Sequence, residues 1–143
     1  MKLKFTLFAM LFFFAFTSMN AQKIKLKKGN VIIDGETYFK YEKRMMASEF
    51  SLYSLDGEDE ILFILRNNNE TIGYGDDDFN QITFIKDKKK LESATLRGYS
   101  FKWFVSTLIK NKVLDLEGNI DPDKLETFFA KYDENITERT VRY

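Results

Sequence analysis

The chain has 143 residues, with 22 basic and 22 acidic side chains and neither Cys nor His. Lacking both, it can form no disulfide, thiolate nucleophile or Ser-His relay, and zinc would find only carboxylates to bind. The even charge balance gives no reason to expect nucleic acid or an anionic membrane as a partner.

The first predicted element is an export signal. Lys2 and Lys4 precede an apolar run of about 12 residues, Phe5 to Phe16, and small or polar residues follow through Asn20 and Ala21. This is the layout of a secretory signal peptide. Spanning a bilayer takes roughly 20 apolar residues, so residues 1–21 read as a removable signal cut after about Ala21. Gln22 stands where a lipid-modified exported protein would carry Cys. The mature chain, 22–143, is therefore expected to have no stable membrane anchor and to reside in the periplasm or outside the cell. Losing Lys2 and Lys4 leaves it 20 basic against 22 acidic residues, a net charge of about −2. Its length suits a single domain that buries one core without a metal or a disulfide.

Strands follow. Lys23 to Lys28 alternates with Ile24 and Leu26, then come Gly29-Asn30, Val31 to Ile33, Asp34-Gly35 and Thr37 to Tyr41. Two-residue Gly-containing breaks between β-branched or aromatic runs are hairpin signals. Lys23, Lys25 and Lys27 share one strand face. They read either as a patch for an anionic ligand or as a solvated face that discourages pairing with another chain. Ser48 to Leu55 makes a further strand. Ile61 to Leu65, an uninterrupted apolar run, is expected at the centre of the sheet and covered on both faces. After a loop holding Gly73-Tyr74-Gly75 and Asp76-Asp77-Asp78, strands are predicted over Phe79–Lys86 and Leu91–Leu96. The turn spacing implies an antiparallel meander of six or seven strands.

At Gly98 the period changes. Ser100 is a helix cap, and Phe101, Phe104, Val105, Leu108 and Ile109 form one apolar helical stripe. Asp121-Pro122 opens a second helix, with stripe residues Leu125, Phe128, Phe129 and Tyr132. The tail from Asn135 to Tyr143 reads as a short extended segment or a fraying end. The fold class is thus α+β: a meander packed against two C-terminal helices.

Four constellations could carry chemistry. Between the helices, Gly118-Asn119-Ile120-Asp121 looks like part of a calcium loop, but Val113 and Lys124 fall where the first ligand and the bidentate Glu must stand. The residues fit a connector better, with Gly118 at φ > 0 and Asp121 as a cap. Asp76-Asp77-Asp78 offers hard oxygen ligands, yet adjacent residues in extended chain point alternate ways, so a solvated turn fits better. Neither loop supplies a credible metal or cofactor site. Carboxylate acid–base catalysis needs two acids with one pKa raised by burial, and no pair stands out in an apolar setting. Finally, Tyr38, Tyr74, Tyr99 and Trp103 are the aromatic residues whose placement suggests contact with a ligand ring, although aromatics also fill sheet–helix cores. Asn69-Glu70-Thr71 and Asn135-Ile136-Thr137 match the glycosylation acceptor pattern, which matters only in a eukaryotic secretory route.

The Asn20-Ala21-Gln22 exit is similar to export signals of the Bacteroidota. Leu26-Lys27-Lys28-Gly29-Asn30-Val31 and Tyr53-Ser54-Leu55-Asp56-Gly57 resemble segments of small uncharacterised exported proteins of that group. The resemblance implies a bacterial envelope location and carries no activity or site residue. The sequence therefore points to a small non-enzymatic binding or interaction protein with a protein or glycan partner. The alternative is a carboxylate-dependent hydrolase or a divalent-metal-binding protein.

Overall fold

The computed structural model describes residues 22–68 and 78–139. Residues 1–21, where the export signal is predicted, the Asn69-Glu70-Thr71 pattern, Tyr74, Asp76 and Asp77 lie outside the described residues. Seven strands form one sheet in chain order: β1 Ile24–Lys27, β2 Asn30–Ile33, β3 Glu36–Arg44, β4 Glu49–Tyr53, β5 Glu60–Asn67, β6 Phe79–Phe84 and β7 Lys89–Ser93. Every neighbouring pair is antiparallel. Helices α1 Phe101–Lys110 and α2 Pro122–Tyr132 follow, then a single turn, α3 Ile136–Arg139. The expected α+β meander with two C-terminal helices is the observed architecture.

Local chemistry explains the connections. Lys28 and Gly29 have φ of 51° and 80°, and Asp34 and Gly35 have 50° and 87°. Two left-handed residues in succession make the hairpin turn whose twist matches that of the flanking strands. The first turn thus uses Lys28-Gly29 rather than Gly29-Asn30, and Asn30 already pairs with Lys27.

Cross-strand partners lie on the same face, so the register defines the core. Val31 and Phe39, Phe50 and Ile64, Leu52 and Leu62, Leu62 and Phe84, and Ile82 and Leu91 are partners. All of these are buried, together with Phe101, Phe104, Val105 and Leu108 of α1 and Leu125 and Phe128 of α2. Phe50 stacks on Phe101 at 4.7 Å, and Phe84 meets Phe129 at 5.9 Å. Both helices therefore cover one face of the sheet, as their stripes require. Truncating a fully buried ring such as Phe104 to Ala would cost about 3–5 kcal/mol.

Two expectations need correction. Strand β5 is interior but sits beside the central strand, β4. Its second face is only half covered at Phe63 and Leu65, because both helices lie on the other side. The described part of the tail is not extended: Ile136–Arg139 coils into one turn, where the Thr137 N–H donates to Glu92 Oε1 at 3.1 Å. Two register shifts also matter. Val31 pairs with Phe39 while Ile32 pairs with Thr37, which leaves Tyr38 as the extra residue of a bulge. Leu52 pairs with Leu62 and Tyr53 with Glu60, which leaves Ile61 unpaired but buried. The α1–α2 connector closes over this second shift. Gly118 has φ of 90° there, and a Cβ on it would stand 3.3 Å from Ile61 Cδ1. Asp121 caps α2 by accepting from the N–H groups of Asp123 and Lys124. Both residues thus do the structural work expected of them.

Candidate functional site

The meander topology gathers the β1–β2 and β3–β4 turns at one end of the sheet, where α1 also begins. A cleft of about 500 Å³ opens there, lined by Lys25, Leu26, Lys27, Lys43, Ala47, Arg66, Ser100, Phe101 and Lys102. Five of these nine residues are cations, and among the described residues none of the five forms an ion pair. Each of the five is exposed.

Aromatic packing builds the floor. Tyr41 stacks on Phe50 at 5.6 Å, and Phe50 stacks on Phe101 at 4.7 Å. The Arg66 guanidinium lies 4.4 Å from the Phe101 ring centre. Lys43 Nζ lies 5.8 Å from the rings of both Tyr41 and Phe101. Ring faces attract cations, so the stack orients two charges without neutralising them. Arg66 also donates to the Tyr99 carbonyl at 3.3 Å. Ser100 Oγ accepts from the Trp103 N–H at 3.1 Å, and the first turn of α1 holds no acidic residue. The positive end of the helix therefore adds to the field of the side chains.

The β3–β4 hairpin borders this cleft. Met45, Met46 and Ala47 have φ of 51°, 55° and 64°, a left-handed run that costs side chains about 1–2 kcal/mol per residue. Ser48 holds it, because its N–H and its hydroxyl both donate to the Met45 carbonyl, at 3.1 and 2.7 Å. Met45 is 72% exposed and Met46 fully so. Just behind the tip, Arg44 is neutralised by Glu42 at 2.8 Å and Glu49 at 3.3 Å. Hydrogen bonds to Tyr53 and Glu49 raise its pKa further above the ordinary arginine value.

The opposite end of the sheet holds a more acidic cleft. Glu58, Asp59, Glu60, Asp87 and Glu117 line a cleft of about 700 Å³ together with Lys86. Among the described residues no group of three or more acids is placed to hold a metal ion. The two clefts thus differ in charge although the whole chain is balanced, and a count of residues could not reveal that.

The sequence-predicted aromatics fall in different places. Tyr99 is 42% exposed and packs on Trp103 at 4.1 Å. Trp103 is half-buried and meets Phe104 and Tyr132 edge-on at 5.3 and 6.2 Å. These two lie beside the cleft mouth, through Tyr99 and Arg66. Tyr38 is not part of this group. It sits at the β2–β3 bulge, half-buried, with its hydroxyl donating to Glu36 Oε2 at 3.3 Å. The Glu36 charge raises its pKa. Lys43, Arg66, Lys102, Met45 and Met46 carry no motif in the sequence. The one available signal was a pair of methionines at a turn between two strands, where polar residues are usual.

A general acid needs a raised pKa. Among the described residues Glu92 is the one buried carboxylate, 3% exposed. Burial pushes its pKa up, but hydrogen bonds from Thr137 and Gln81 outweigh burial and hold it below the ordinary value. Glu134 behaves likewise: burial raises it, and bonds from Ser93 and Thr95 bring it down. Both are ionised structural acceptors. In comparisons with protein-family models, curated proteins and solved structures, nothing matches this chain.

Proposed function

We propose that the mature chain is an exported binding module of the bacterial envelope, not an enzyme, whose partner presents phosphate or carboxylate groups to the cleft between β1, the β3–β4 hairpin and α1. One observation carries this reading: five cations line a single cleft and none has an acidic partner among the described residues. Like charges held together repel each other, and a folded chain gains nothing by itself from such a cluster. An anion relieves the repulsion and collects charge-assisted hydrogen bonds. Export is supported by the Lys2/Lys4 and Phe5–Phe16 pattern. The hydrolase alternative lacks an acid with a raised pKa at Glu92 or Glu134.

Pyrophosphate titration followed by amide NMR tests the cleft. Shifts should localise to Lys43, Ala47, Arg66 and Phe101. Lys43→Ala with Lys102→Ala should weaken binding by about tenfold or more, since a hydrogen bond involving a charged group contributes about 1.5–3 kcal/mol. Shifts spread evenly over all surface lysines would remove the site.

A further inference from the structure

From the hairpin beside the cleft we infer that the anionic partner is a lipid bilayer, with Met45 and Met46 entering its interface while the cleft cations engage the headgroups. This rests on the anion-binding reading and extends it. Among the described residues Met45 and Met46 are the most exposed of the large apolar side chains, and they stand next to Ala47, which lines the cationic cleft. A soluble anion would leave both thioether chains in water. An anionic membrane uses both features, because interfacial binding grows with inserted apolar area and with attraction to anionic lipid.

The geometry suits shallow insertion. The left-handed run at 45–47, fastened by the two bonds from Ser48 to the Met45 carbonyl, makes the tip a fixed protrusion. Arg44, close behind, carries its own acidic partners. Among the described residues Lys43, Arg66 and Lys102 have no acidic partner, so they are left to meet phosphate. Among the described residues no helix is long and apolar enough to cross a membrane, and attachment is reversible and peripheral. Charge complementarity sets the orientation: the cationic end faces the bilayer, and the acidic cleft of Glu58, Asp59 and Asp87 faces away.

The test is co-sedimentation of the mature chain with vesicles of phosphatidylcholine alone and with about one-third phosphatidylglycerol. The mature chain should bind the anionic vesicles at least tenfold more tightly. Met45→Ser with Met46→Ser should lower that binding about tenfold and leave pyrophosphate binding unchanged. In a separate variant, Met46→Trp, emission should shift to the blue when anionic vesicles are added. Equal vesicle binding by the serine variant, or an unshifted tryptophan, overturns insertion. Pyrophosphate binding without vesicle binding overturns the bilayer as partner and leaves the anion cleft standing. Loss of both overturns the cleft itself. Binding by a soluble acidic protein that depends on both methionines, with none to vesicles, would move the partner from lipid to protein.

Discussion

The two edges of the sheet handle charge in opposite ways. At β7, the acidic groups Glu92, Asp133 and Glu134 are engaged from within. The Glu134 N–H donates to the Glu92 carbonyl at 2.8 Å, and the Glu92 N–H donates to Asp133 Oδ1 at 3.0 Å. Glu92's carboxylate accepts from Gln81 at 3.0 Å and from both the N–H and the hydroxyl of Thr137. Glu134's carboxylate accepts from the Ser93 hydroxyl at 2.6 Å and the Thr95 N–H at 3.0 Å. The tail closes this edge as a further strand would. At β1 the edge is four residues long, with Lys25 and Lys27 exposed, and it borders a cleft of cations without acidic partners among the described residues. Charges satisfied inside the fold belong to stability. Charges gathered without partners are available to something outside it.

Substitution should separate the two edges. Glu92→Ala removes a buried acceptor and leaves Gln81 and Thr137 unpartnered, so it should destabilise the fold by about 2–3 kcal/mol, read as a lower urea midpoint. Lys43→Ala or Lys102→Ala, at the other edge, should change stability by no more than about 0.5 kcal/mol while weakening anion binding. A cleft substitution as costly as Glu92→Ala would mean that the cations serve folding.

Acid should release the β7 edge in particular. Glu92 and Glu134 are held below the ordinary glutamate value of 4.5 in the fold. Their contribution is therefore complete above about pH 4.5 and is lost as pH falls through the lower folded values, because only the unfolded chain then takes up the protons. Hydrogen exchange at Thr137 and Glu134 should quicken below that pH sooner than at Leu62 in the core. In Glu92→Gln the pH dependence of stability should be shallower. Equal acid sensitivity in the two proteins would show that Glu92 contributes no ionised acceptor.

The smallest effect concerns the hairpin tip. Ala47→Gly relieves one left-handed alanine at φ 64° but frees the unfolded chain, so a net gain of about 0.5 kcal/mol is expected. A loss of stability would mean that the Ala47 methyl packs at the cleft wall more than its backbone is strained.

Local pattern was enough for most of the architecture. The Asp34-Gly35 turn, the Ser100 and Asp121 caps, and the stripe from Phe101 to Ile109 depend on residues within a few positions of one another, and their period or turn chemistry is visible in one dimension. The absence of Cys and His likewise decided by itself which chemistries the chain cannot perform. The bulge at Tyr38 could not be read, because a bulge is defined by the partner strand's register. The Glu92 latch joins β7 to a residue 45 positions later, and no periodicity reports such a pairing. The cleft is the clearest case. Lys25, Lys43, Arg66 and Lys102 come from four separate segments that look like ordinary solvated positions. Only the folding of the meander and the docking of α1 bring those four charges to one place, because electrostatic interaction depends on distance in space and is blind to order along the chain.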